Sequence, residues 1–129
     1  MLPAVANYLV FLLLAAVLLL VFFVVYTRIT PYNEVLLIRQ GNVAAALSLS
    51  GAVIGFSLTI ASCILHTSAI VPFVVWSSGA LAVQLVAYVA TTRLMAMSKE
   101  HIESNNVAFG GILGAVSLSV GAINAACIS

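Results

Sequence analysis

The chain has 129 residues, of which 64% are hydrophobic and 5% are charged, and its mean hydropathy is +1.29. A soluble domain carries about 25% charged residues, so this composition excludes a water-soluble globular domain and predicts that the lipid bilayer surrounds most of the chain. The net charge of +1 leaves no extended basic surface, so we expect no nucleic-acid partner.

Four apolar stretches are each long enough to cross a membrane as a helix, because about 20 apolar residues span the hydrocarbon core. Strands are not expected, since an open strand in lipid leaves its amides unpaired. The four predicted spans are, in chain order, Ala4–Tyr26, Val43–Leu65, Ile70–Thr92 and Val107–Ile128. The first is longer than a signal-peptide core and has no Lys or Arg before it, so we expect it to be permanent.

All charged side chains lie in two short windows, Arg28–Arg39 and Arg93–Glu103. These windows connect the first span to the second and the third to the fourth, so both lie on one side of the membrane. The positive-inside rule therefore predicts cytoplasmic charged loops and periplasmic termini. Tyr26 and Tyr88, near the cytoplasmic boundary, are expected to be interfacial anchors. The four basic residues expected to meet anionic lipid are Arg28, Arg39, Arg93 and Lys99.

The two halves of the chain are related in sequence. Asn42 aligns with Asn106 and Cys63 aligns with Cys127 in one gapless register. Matches of such uncommon residues at one spacing indicate an internal duplication of a helical hairpin.

We therefore expect a single membrane domain over residues 1–129, with a first hairpin repeat over 1–65 and a second over 66–129. Both hairpins enter the membrane in the same direction, so the axis that relates them lies along the membrane normal. The predicted fold is all-α: an integral membrane four-helix bundle of two tandem transmembrane hairpins with a pseudo-twofold axis.

The segment that closes the first span reads Tyr26-Thr-Arg-Ile-Thr-Pro-Tyr-Asn-Glu34. It is followed by Leu37-Ile-Arg, by Asn42-Val-Ala-Ala and, near the end, by Asn124-Ala-Ala-Cys. With these residues the chain resembles, over essentially its whole length, the YjfL-like family of small bacterial inner-membrane proteins of unknown function. The Ile-Thr-Pro-x-Asn-Glu stretch is the most specific part of this resemblance.

The resemblance implies a multi-pass protein of the bacterial inner (plasma) membrane, with no established activity, cofactor or catalytic residue. Members of the family are often encoded beside homologues of the phage-shock membrane-stress protein PspA. This implies a part in envelope maintenance and a membrane-stress protein as a possible partner.

Four polar residues are candidates for a functional or packing role. Asn42 and Asn106 precede the second and fourth spans and are predicted N-caps, because an Asn oxygen accepts from the free amides of a first helical turn. The alternative is a ligand-binding pair at the cytoplasmic mouth of the bundle. Gln84 and Asn124 are costly to bury in lipid, so we expect both to find partners across helices inside the bundle.

Two small-residue patterns, Gly51-x-x-x-Gly55 and Gly110-x-x-x-Gly114, lie in the second and fourth spans. Small residues at this spacing let two helix backbones approach closely. Contact within the chain and contact between protomers both satisfy the pattern.

The sequence contains few residues that could bind a metal or catalyse a reaction. Cys63 and Cys127 are expected to be reduced thiols, with a disulfide between them as the alternative. Cys63 and His66 supply only half of a zinc site, which needs three or four protein ligands. No metal ligands, cofactor or catalytic residues are therefore predicted.

The spans contain no Asp, Glu, Lys or Arg, whereas pumps and proton-coupled carriers place ionisable groups inside the membrane. We therefore expect a protein that is not an enzyme and that acts as a homo-oligomer, by assembly or partner contact. The alternative is an oligomeric pore or facilitator for an ion or small solute, lined by Ser, Thr, Gln84 and Asn124.

Overall fold

The computed structural model describes residues 2–30, 32–94 and 98–128, which form six α-helices. The helices are α1 (Leu2–Ile29), α2 (Glu34–Arg39), α3 (Val43–His66), α4 (Ile70–Leu94), α5 (Ser98–Glu103) and α6 (Val107–Cys127). Helices α1, α3, α4 and α6 are long and apolar enough to cross a membrane, so the all-α prediction with four spans is confirmed. The ends of the predicted domain, residues 1 and 129, lie outside the described residues.

Asparagine side chains begin three of these helices. Asn33, Asn42 and Asn106 have extended backbones and precede α2, α3 and α6. Each side-chain oxygen accepts a hydrogen bond from the backbone amide three residues on, at 3.1, 2.8 and 3.1 Å. An amide that has no partner within its helix is thereby satisfied at each start.

The turns that lead into α3 and α6 follow the same backbone course. Gly41 (φ +83°) and Asn105 (φ +60°) occupy the left-handed region at equivalent places, which glycine adopts without strain and Asn tolerates. In each turn the following Asn amide donates to the carbonyl five residues back, at 2.9 and 2.8 Å. Two different sequences thus form one local structure.

Helices α3 and α6 form the centre of the bundle and touch backbone to backbone. Glycine makes this approach possible, because an added Cβ at these positions would overlap the facing backbone. The paired positions, in order along both helices, are Ala44 with Gly110, Gly51 with Gly114, and Gly55 with Gly121. The pairs advance together along both helices, so α3 and α6 run parallel.

Helices α1 and α4 flank this centre. Phe22 of α1 stacks on Phe56 of α3 with ring centroids 4.6 Å apart, and Phe11 meets the edge of Phe73 in α4 at 5.3 Å. Half of the α3 span is buried but only 11% of the α1 span. Most of α1 therefore offers its apolar surface to lipid, while α3 is the central helix.

Candidate functional site

Five polar side chains are buried together where the two charged windows lie. They are Tyr26 of α1, Tyr32 of the α1–α2 loop, Glu34 of α2, Ser48 of α3 and Tyr88 of α4, and each is at most 5% exposed. We call them the tyrosine–glutamate cluster. The cluster joins three of the spanning helices to the short helix α2.

Hydroxyl groups make the polar contacts of this cluster. The hydroxyls of Tyr26 and Ser48 lie 3.3 Å apart, and those of Tyr32 and Tyr88 lie 3.4 Å apart. The rings of Tyr26 and Tyr88 meet edge to face with centroids 4.7 Å apart, a favoured aromatic geometry. These contacts join the three tyrosines to one another and to Ser48.

Glu34 is the one carboxyl buried among the described residues. It is 1% exposed, and neither of its oxygens has a hydrogen-bond partner in the described part of the chain. Burial raises the pKa of this carboxyl to about 8, and the nearby Tyr32 hydroxyl opposes the rise only in part. Glu34 is therefore mostly protonated and neutral at pH 7, which lowers the cost of its burial.

No sequence pattern predicts that these five residues meet. Tyr26 and Tyr88 were expected to anchor the protein in the membrane interface, and that role is wrong, because they are 1% and 5% exposed and pack on each other. A six-residue helix is too short for periodicity to show which face Glu34 occupies. The available signal was its place in the Ile-Thr-Pro-x-Asn-Glu stretch, the most specific part of the family resemblance.

A second set of polar contacts joins α4 to α6 deeper in the bundle. The Gln84 side-chain nitrogen donates to the Ser117 carbonyl at 2.8 Å, and the Asn124 nitrogen donates to the Ala80 carbonyl at 3.3 Å. Gln84 is 2% exposed, and its side-chain oxygen has no partner among the described residues. Each helix thus donates one side-chain hydrogen bond to the backbone of the other.

Hydroxyl groups of α3 bind α6 in the same way. The Thr59 hydroxyl donates to the Gly121 carbonyl at 2.9 Å, and the Ser62 hydroxyl donates to the carbonyl of Ala125. In lipid these bonds satisfy the side chains while holding two helices together. Thr59 and Ser62 of α3 therefore connect their helix to α6, as Gln84 and Asn124 connect α4 to α6.

The candidate residues Gly51, Gly55, Gly110 and Gly114 all lie in the α3–α6 contact, so the structure places them within one chain. Asn42 does more than cap α3, because its nitrogen also donates to the Ile102 carbonyl at 2.7 Å. The equivalent Asn106 reaches the ring of His101, its own neighbour, at 3.2 Å. The capping pair is therefore present, and its two members make different additional contacts.

The remaining candidate residues are not members of the cluster. Cys63 is buried, Cys127 is exposed, and both thiols are free. In the described ranges no group of three or more His, Cys, Asp or Glu side chains is placed to hold a metal ion. The basic side chains Arg28, Arg39, Arg93 and Lys99 are all exposed.

Comparisons with known proteins identify the family. The model of a domain of unknown function, DUF350, matches residues 1–128. The inner membrane protein YjfL of Escherichia coli strain K12 is 33% identical over 110 residues, which cover 85% of this chain and 83% of YjfL. YjfL of Escherichia coli O157:H7 matches with the same figures, and no solved structure matches the chain. Since the family model covers nearly every residue of this four-span membrane protein, the chain belongs to the DUF350 family.

Proposed function

We propose that this protein resides in the bacterial inner membrane, catalyses no reaction, and acts by assembly and partner contact in envelope maintenance or membrane stress. One observation carries the proposal: the polar side chains deep in the spans hold helices together. Gln84 and Asn124 join α4 to α6, and Thr59 joins α3 to α6, each through a backbone carbonyl. This arrangement favours a packed membrane body whose outer surfaces make its contacts.

We also propose that the body consists of two tandem hairpins that arose by duplication. The 64-residue shift that sets Asn42 on Asn106 also sets α2 on α5 and the start of α3 on the start of α6. The same shift sets the left-handed Gly41 on the left-handed Asn105. Agreement of helix bounds and turn conformation at one shift supports the duplication.

We infer that the relation between the hairpins differs from the twofold axis expected from the sequence. If a twofold axis related the hairpins, the contact of Gly51 with Gly114 would be repeated by an equivalent contact of Ala115 with Ser50. Both Ser50 and Ala115 are exposed. We infer a head-to-tail relation about an axis along the membrane normal, in which equivalent helices use different faces.

The alternative function, an oligomeric pore or facilitator, would require Gln84 and Asn124 to face a water-filled path. Both side chains instead donate to backbone carbonyls in the α4–α6 contact. Their geometry therefore favours assembly over conduction. Solute or ion flux through liposomes that contain the purified protein would reverse this preference.

The test of the proposed function combines a deletion strain with affinity capture. We expect the deletion to reduce envelope integrity under membrane stress, measured as loss of membrane potential, and the wild-type chain to restore it. Capture of the tagged full chain from native membranes is expected to enrich a specific partner over a tagged, unrelated four-span protein. A deletion strain that keeps its potential under stress, together with capture of no specific partner, would contradict the proposal.

A further inference from the structure

The contact between α3 and α6 uses different faces of two equivalent helices. Helix α3 meets α6 through Ala44, Leu47, Gly51, Gly55, Thr59 and Ser62. Helix α6 meets α3 through Gly110, Gly114, Ser117, Gly121 and Ala125. Under the 64-residue shift these two sets lie on nearly opposite sides of the helix, since about 3.6 residues make a turn. Each of the two helices therefore has a second face that does not take part in the α3–α6 contact. The residues equivalent to that face on the other helix do take part in it.

On α6 this unused face is open. The 64-residue shift carries the contact residues of α3 onto Ala108, Gly111, Ala115, Ser119, Ile123 and Ala126, which we call the α6 free face. All are exposed except Gly111, which is half-buried, and Ile123 is 65% exposed. The face of α6 that corresponds to the packed face of α3 thus has no partner among the described residues.

On α3 the reciprocal face is open too. The contact residues of α6 correspond to Ala46, Ser50, Val53, Ser57 and Ala61, which we call the α3 free face, and each is exposed or half-buried. Two cavities of about 330 and 320 Å³ lie between this face and α1. The α3 free face therefore forms one wall of an open groove.

The second hairpin shows what fills such a groove. There α4 takes the place of α1, and α3 packs against both α4 and α6. Ser77, Ala80 and Gln84 of α4 are all at most 4% exposed. The alignment of α1 with α4 needs a shift one residue longer than that of the rest of the repeat. With this shift the three residues correspond to Leu12, Ala15 and Leu19 of α1, which line the groove and are exposed or half-buried. Helix α3 occupies the groove of the second hairpin, whereas no other helix of the described ranges occupies the groove of the first.

The turns repeat this asymmetry. Asn42 donates across the repeat to the carbonyl of Ile102, which is fully buried. The equivalent Asn106 stays with its own neighbour His101, and Ile38, the equivalent of Ile102, is 36% exposed. The hydrogen bond between the repeats is thus made once, by Asn42 and Ile102. Within the chain the equivalent residues, Asn106 and Ile38, do not bond to each other.

We propose that a second copy of this chain places its α6 free face in the groove between α1 and the α3 free face. The occupant follows from the contact inside the chain, because the repeat equivalents of these two faces, the packed face of α3 and the packed face of α6, already meet there. Since α3 and α6 are parallel, the two copies enter the membrane in the same direction. A head-to-tail contact of this kind closes into a ring or continues as a row.

This inference names the partner in the proposed assembly function and rests on that function and on the duplication. It predicts specific neighbours: Ala115 of one copy contacts Ser50 of the next, and Ser119 contacts Ser57. The α6 free face has Ala and Ser where α3 has Gly, so the helices between copies lie farther apart than α3 and α6. We therefore expect a weaker contact than the one inside the chain.

Disulfide cross-linking in native membranes tests the proposal. Two differently tagged full chains, both carrying Cys63→Ala and Cys127→Ala, are co-expressed, one with Ser119→Cys and the other with Ser57→Cys. We expect oxidation to give mixed dimers several-fold above the yield obtained when Ser119→Cys is paired with Leu13→Cys. A chain with both Ser119→Cys and Ser57→Cys is expected to form a ladder beyond the dimer.

The outcomes separate the alternatives. Dimers formed mainly between two Ser119→Cys chains would indicate a symmetric contact and overturn the proposal, as would a mixed yield no higher than the Leu13→Cys control. A second measurement avoids the cysteines: Ala115→Phe is expected to lower the mass of the detergent-solubilised complex, whereas Val86→Phe on exposed α4 surface leaves it unchanged. Both the cross-linking yield and the mass of the complex are measured on membranes without stress. A negative result for either would therefore contradict the contact between copies without bearing on the loss of membrane potential under stress.

Discussion

Gly51 and Gly114 meet backbone to backbone, so closely that a methyl group at position 51 would overlap the carbonyl of Gly114. We expect Gly51→Ala to destabilise the protein by about 1–3 kcal/mol, because the facing backbone must move. The matched control is Gly111→Ala, whose new methyl would meet only a Leu47 side-chain carbon at 4.0 Å. Thermal unfolding in mild detergent compares them, and a Gly51→Ala protein that melts no earlier than Gly111→Ala would refute the close contact.

The duplicated capping residues allow a second matched comparison. Asn42→Ala removes a cap and also the hydrogen bond across the repeats to the buried Ile102 carbonyl, which keeps the Asn105 amide as its other donor, whereas Asn106→Ala removes a cap and a contact with half-buried His101. Loss of a cap costs about 1 kcal/mol, and loss of one buried hydrogen bond whose acceptor keeps another donor adds about 0.5–1.5 kcal/mol. Chemical unfolding should therefore show the larger loss for Asn42→Ala, and equal losses would argue against the bond across the repeats.

Glu34 should give the protein a pH-dependent stability. Burial raises its pKa to about 8 from the ordinary value of 4.5, so the folded state keeps its proton at a pH where the unfolded chain has lost it. The stability linked to this group is complete below pH 4.5 and is lost as the pH rises through about 8.

The expected result is a melting temperature that falls between about pH 5 and about pH 9, and that falls less in Glu34→Gln. Glu103→Gln, on an exposed side chain of α5, is the control and should keep the wild-type slope. Identical slopes in wild type and Glu34→Gln would show that the carboxyl does not titrate in this range.

The sequence predicts the spans well because hydrophobicity and length decide them, and the asparagine caps because one side chain satisfies one local amide. It does not predict the cluster around Glu34, since five residues from separate parts of the chain meet there only after packing. Nor does it predict the α3–α6 geometry in full. Glycine spacing indicates close approach, but the choice of face depends on the whole surface of both helices.

The hydroxyl of Thr59 donates to the Gly121 carbonyl at 2.9 Å and also reaches the Gly55 carbonyl of its own helix at 3.2 Å. Thr59→Val keeps the shape and removes the bond between helices, so we expect a loss of about 0.6 kcal/mol, up to about 1.7. Thr91→Val is the control, because the Thr91 hydroxyl binds only the Ala87 carbonyl within α4. Denaturant titration in micelles should give Thr59→Val a lower free energy of unfolding than Thr91→Val, and the reverse order would mean that the bond contributes nothing.

Both charged loops should face the cytoplasm, because they contain every Lys and Arg of the chain and positive loops stay on that side. Single cysteines at Arg39, Lys99 and Ser68, each in the Cys63→Ala, Cys127→Ala background, report the side by reaction with a membrane-impermeant maleimide. We expect Ser68→Cys, in the α3–α4 turn, to react in intact spheroplasts, and Arg39→Cys and Lys99→Cys only after lysis. Reaction of the last two on opposite sides would contradict the four-span arrangement itself, whereas reaction of both in intact spheroplasts would reverse the orientation and leave the fold unchanged.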